Sequence, residues 1–211
     1  MSYFPFFMNI EGKTGLIVGG GKSSFFKIKK LLPFKVNLEV IAVDVLDEIK
    51  QLETEGKVCI KYHSFSEADL VQIPFFVIVA LEDKEESHKI ACLCRKKGIL
   101  ANVVDDPEYC DFYFPSLVTK GKCSIGISTS GASPAIAGLL REEIEEMIPE
   151  FIEELIDWLD EKRPQLKEQF PTQKARKQVL RTLYLACVER NRLLTEKEYE
   201  QLISLHLEEN K

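Results

Sequence analysis

A short apolar run, three consecutive glycines and the start of a helix follow one another in GLIVGGGKSSFFKIKKLL, Gly15 to Leu32. Strand, glycine turn and helix in this order form the first unit of a parallel sheet. They also build a place for a phosphate: one glycine allows the tight turn, another lets the backbone approach a pyrophosphate, and the helix start offers free N–H groups. Read as G-x-G-x-x-G, the frame is Gly19, Gly21 and Ser24, with Ser24 in place of the third glycine and small enough for close helix–strand packing. Gly20 completes the turn, and Lys22, Ser23 and Ser24 could add a charge and hydroxyl donors. Asp44, at the end of the second strand, lies near the spacing at which a carboxylate meets a ribose 2′-OH, so the expected cofactor is NAD rather than NADP. A glycine turn in a sheet protein that binds no nucleotide is the competing reading.

The rest of the first half repeats the theme. Thr14–Val18, Leu38–Val43, Val58–Tyr62, Phe75–Ala80 and Ile99–Val104 read as buried strands, and Ser23–Leu32, Asp47–Glu55 and Ser87–Lys97 as helices between them. Such alternation predicts an α/β, Rossmann-like, doubly wound parallel sheet. Lys27, Lys29 and Lys30 are expected on the wet face of the first helix. The pattern then changes. Phe112–Val118 and Lys122–Ser128 read as two strands, followed by a helix from Pro134 to Met147 with proline in its first turn. From Pro149 onward the chain reads as helical, with Arg163-Pro164 and Phe170-Pro171 as breaks. The expected division is a nucleotide-binding domain over 1–111, a small α+β segment over 112–148 and a helical module over 149–211. The middle segment carries more apolar surface than a short extension needs, which points to dimerisation.

Composition removes several classes of function. A formal net charge of −6, from 34 acidic and 28 basic residues, argues against nucleic acid as the main partner. The apolar start lacks a basic leader and is interrupted by Pro5 and Glu11, and no apolar run approaches the roughly 20 residues of a membrane span. A cytoplasmic protein with reduced cysteines and no membrane partner is expected. His63, His88 and His206 show no metal-ligand spacing, so no metal site is assigned.

Four stretches taken together are more specific: FPFFMNIEGKTGLIVGGGK at the start, NVVDDPEYCDFYFPSLV from Asn102, ISTSGASPAIAGLLREEIE from Ile127, and the helical tail. In this order and spacing they resemble the bifunctional precorrin-2 dehydrogenase and sirohydrochlorin ferrochelatase family, the siroheme-synthase N-terminal module. The resemblance covers roughly residues 1–150. Because the sequence ends at Lys211, it is to the stand-alone form, without the methyltransferase domain fused on in some relatives.

The resemblance implies NAD-dependent dehydrogenation of precorrin-2, a carboxylate-rich reduced tetrapyrrole, to sirohydrochlorin. In some members ferrous iron, as a substrate, is then inserted to give siroheme. Both steps need a base near the ring, a role the family gives to the aspartate after Asn-Val-Val, here Asp105. Its position just past the carboxyl end of a parallel strand suits a ligand site, and Asp106 could tune it by like-charge repulsion; turn chemistry alone is the other reading of Asp105-Asp106-Pro107. The STSGASP loop is by itself a good helix cap. In the family it borders the tetrapyrrole pocket, which makes Ser128, Thr129, Ser130 and Ser133 candidate substrate contacts, with Lys120, Lys122 and Arg141 as cations for its carboxylates. The family also implies an intertwined homodimer.

Departures from the family pattern fall on the nucleotide side: Ser23-Ser24 where Val-Ala is common, Leu81-Glu82 for Thr-Asp, Ser87 for Asn, and Lys35 for a glycine. They keep open two alternatives, a non-catalytic tetrapyrrole-binding dimer and a chelatase-only member.

Overall fold

Five apolar segments pair in the computed structural model, which describes residues 4–209. They are β1 (Thr14–Val18), β2 (Asn37–Ile41), β3 (Cys59–Lys61), β4 (Phe76–Val79) and β5 (Leu100–Val103), all parallel, in the order β3-β2-β1-β4-β5. Successive side chains of a strand point to opposite faces, and here both faces are covered. Ile17, Val40 and Ile78 pack on one face with Ile28 of α1 (Lys22–Leu31) and Ile49 of α2 (Asp47–Thr54). Leu16, Val18, Val77 and Val79 pack on the other with Ile90, Ala91 and Cys94 of α3 (Lys84–Lys96). That is why β4 is apolar and buried at every position. The first two helices lie on one face and the third on the other, so a crevice opens at the carboxyl ends of β1 and β4, the switch point of the sheet.

Several element boundaries depart from the sequence reading. The connection from β3 to β4, where the sequence reading gave no element, holds a 3₁₀ turn, Glu67–Leu70, fastened by Ser66 N donating to Asp69 Oδ2 at 2.8 Å; Leu70, 1% exposed, fills the place of a helix. Helix α3 starts at Lys84 rather than Ser87 because Asp83 Oδ1 accepts from Glu86 N, and acids occupy its first turn. The strand expected from Phe112 starts later. Phe112 and Phe114 pack instead against the sheet core, with the Phe76 and Phe112 rings 5.8 Å apart.

The chain divides into two units between Phe114 and Pro115. In the second, β6 (Ser116–Lys120) and β7 (Cys123–Ile127) form an antiparallel hairpin turned at Gly121, whose φ of 54° suits glycine. Helices α4 (Pro134–Met147), α5 (Ile152–Gln169), α6 (Gln173–Arg190) and α7 (Glu196–Glu209) follow. Leu155, Leu166, Phe170, Val179, Leu183, Tyr199 and Ile203 form the core of the last three. Helix α5 runs through Pro164, contrary to the expected break. Pro164 is exposed, so only a solvent-facing backbone bond is lost, while Leu155 and Leu166 anchor the helix on both sides of it. Among the described residues no helix is long and apolar enough to cross a membrane.

Candidate functional site

The crevice at the carboxyl edge of the sheet is a cleft of about 840 Å³. Gly19, Gly20, Gly21, Lys22 and Ser23 line one side, Asp44 the end toward β2, and Asp105 and Asp106 the end toward β5. Each glycine has its own reason. Gly19 has φ +115°, and a Cβ there or at Gly20 would run into backbone, the carbonyl of Ala80 in one case and of Asp44 in the other. These two glycines let the turn settle between the ends of β2 and β4. Gly21 differs, because a Cβ on it would meet nothing within 4 Å. It opens onto the cleft.

Helix α1 starts at that opening with no side-chain cap on its free N–H groups and no acid in its first turn. Bare donors and the positive end of the helix dipole facing a cleft fit the pyrophosphate of a dinucleotide. Asp44 stands exposed at the end of the cleft toward β2, and a carboxylate there suits a ribose hydroxyl. The residues present therefore fit an NAD-type cofactor. Ser24 is not on the cleft wall: it is fully buried in the helix–strand contact, and its hydroxyl has no hydrogen-bond partner among the described residues. Lys35, in the place of a family glycine, takes φ +52°, the left-handed conformation that glycine adopts without cost.

The segment after β5 is tied to itself. Asn102 Nδ2 donates to Phe112 O at 2.9 Å, Asp111 Oδ2 accepts from Ala101 N at 3.0 Å, and Cys110 Sγ donates to Val103 O at 3.1 Å. The asparagine, cysteine and third aspartate of the NVVDDPEYCDF stretch thus hold the loop shape. Asp105 sits at its exposed tip with φ +60°, a costly conformation for a residue with a Cβ, and its carboxylate makes no hydrogen bond or ion pair among the described residues. Asp106 has a partner the sequence reading missed: His88 Nε2, 2.6 Å from its Oδ2. His63 and His88 both line the cleft, although no group of three or more His, Cys, Asp and Glu among the described residues could hold a metal ion. Lys27 departs from the wet-face expectation. Its ammonium lies 4.1 Å from the centre of the Phe114 ring, and burial, then Lys30, lower its pKa against the opposing pull of Cys110 and Asp105.

The other candidate residues lie in the second unit. Thr129 Oγ1 accepts from Ser133 N, Ser128 Oγ accepts from Ser130 N, and Ser133 Oγ caps α4 by accepting from Ile136 N at 3.3 Å. Ser130 takes φ +53°. Lys120 Nζ reaches the carbonyl of Ile148. Lys122 is paired with Asp157 and Asp160, whose hydrogen bonds raise its pKa, and Arg141 with Glu142 and Glu145.

A doubly wound sheet with an uncapped helix start, a glycine turn and a terminal acid around one crevice defines a dinucleotide-binding Rossmann domain. The profile of the NAD(P)-binding family matches residues 6–116, and that of the central region of sirohaem biosynthesis proteins matches residues 120–147. The chain belongs to the NAD(P)-binding family. Siroheme synthase of Nitrosococcus oceani is 32% identical over 177 residues, covering 84% of this chain and 38% of the relative. That of Neisseria meningitidis serogroup C is 33% identical over 171 residues, covering 79% and 35%. The chain spans little more than a third of these relatives' length. The solved structure of SirC, a precorrin-2 dehydrogenase, matches in fold with a TM-score of 0.67 at 21% identity, over 98% of this chain and all of that one.

Proposed function

We propose that the protein dehydrogenates precorrin-2 to sirohydrochlorin with NAD. One observation carries the reading: an unpaired aspartate, Asp105, shares one cleft with an uncapped glycine-turn helix start. The siroheme synthases and SirC supply the substrate by likeness. NAD, when bound, supplies the hydride acceptor. The chain's own residues do the rest: α1 and the glycine turn hold the pyrophosphate, Asp44 accepts from the ribose and disfavours NADP, and Asp105 takes the proton that accompanies hydride loss. Ser128, Thr129, Ser130, Ser133, Lys120, Lys122 and Arg141 are proposed to meet substrate carboxylates, which requires Lys122 and Arg141 to exchange their present acidic partners. A homodimer built on the β6–β7–α4 segment is part of this reading, and Ile136, Leu139 and Met147 of α4 are exposed apolar residues suited to it. Ferrochelation, with ferrous iron as substrate, would draw on the same carboxylate to take the pyrrole protons.

The test is anaerobic mixing of the protein with precorrin-2 and NAD. Sirohydrochlorin absorbance rising together with NADH is expected. Tetrapyrrole binding without turnover would favour the binding-module alternative, and iron insertion alone the chelatase-only one.

A further inference from the structure

Asp105 and Asp106 are neighbouring acids, yet their carboxylates are treated differently. His88 Nε2 stands 2.6 Å from Asp106 Oδ2, and a carboxylate can only accept, so Nε2 carries the proton. The His88 ring is stacked on that of Tyr109, centroids 3.8 Å apart and planes within 4°. Tyr109 is itself part of the loop, its N–H donating to Asp106 O. Seven residues further along α3, Arg95 Nε donates to Asp111 Oδ1 at 3.0 Å and its guanidinium sends a second bond to Glu108 O. One face of α3 therefore grips the loop at both ends and leaves Asp105 alone on its tip.

We propose that His88 is a positioning residue for the dehydrogenation: by engaging Asp106 and stacking on Tyr109 it holds the left-handed turn that presents Asp105 to the cleft and keeps the second carboxylate from competing for the same proton. The inference rests on the reading of function above. The strained φ of Asp105 needs an anchor beside it, and misplacement of a reacting group by about 1 Å can cost as much as 10²-fold in rate.

Two variants separate the parts of this role. His88→Phe keeps a ring to stack on Tyr109 but loses the donor; His88→Gln keeps a donor and loses the stack. With precorrin-2 and NAD, His88→Phe is expected to lower kcat on the order of tenfold while KM for NAD, NAD affinity by calorimetry and melting temperature stay near wild type. His88→Gln is expected to recover most of that loss. Nitrogen NMR of the imidazoles, with His88 assigned from the signal missing in His88→Phe, should show the Nε2-protonated tautomer. Overturning results are a His88→Phe variant with full kcat, a kcat loss that follows melting temperature and is not recovered by Gln, or the Nδ1 tautomer. An inactive wild-type chain would remove the reading of function and this inference with it. An active wild type with an equally active His88→Phe removes the inference alone.

Discussion

Three adjacent glycines do separable jobs, and substitution should tell them apart. Gly20→Ala pushes a methyl into the carbonyl of Asp44, so its expected effect is a lower melting temperature, by a few degrees per kcal/mol lost in a domain of this size. Gly21→Asp meets open space, and Gly21 already has an ordinary extended backbone, φ −88°, at the N-cap of α1. An aspartate there can cap the helix, so melting temperature should hold or rise. NAD binding should be lost, because an anion then fills the pyrophosphate position. Calorimetry and thermal melts on both variants check the pair. Asp44→Ala should narrow the preference for NAD over NADP; equal affinities already in the wild type would remove Asp44 from the ribose site.

The start of helix α7 is tied by Thr195 and Glu198, whose side chains each bond the other's backbone N–H. Glu198 accepts from Arg192 through both guanidinium nitrogens and from the N–H and hydroxyl of Thr195, and these bonds, Arg192 first, hold its pKa far below its ordinary 4.5. Since the folded value is depressed, the stabilisation is present above about pH 4.5 and fades as the pH falls from there toward the folded value. Glu198→Gln should lower the urea midpoint at pH 7, with the difference from wild type shrinking at pH 3; a constant difference would contradict the account. Elements held by local pattern were legible in the sequence. β1 and α4 have the bounds read from it, since a buried apolar run and a Ser-Pro start are local signals. What escaped depends on distant partners. Phe112 looks like a strand residue until Phe76 is beside it, and Pro164 looks like a break until the helix is anchored on both sides. The site divides the same way: the glycine turn, Asp44 and Asp105 follow from short motifs, whereas the pairing of His88 with Asp106 joins residues on different elements and leaves no mark in either stretch.

For the whole molecule, the exposed apolar face of α4 carries the assembly proposal. Leu139 is 61% exposed and should be covered in a symmetric dimer. Leu139→Glu is expected to yield a folded monomer by light scattering, where the wild type is a dimer at micromolar concentration; a monomeric wild type would end the proposal. The central claim is that Asp105 takes a proton in the same cleft that holds NAD, and Asp105→Asn tests it most directly. The amide is nearly isosteric but is no base, so melting temperature and NAD affinity should stay near wild type while single-turnover NADH formation from precorrin-2 falls by about 10²-fold or more. A stable Asp105→Asn variant that still binds NAD and forms NADH at the wild-type rate would contradict it.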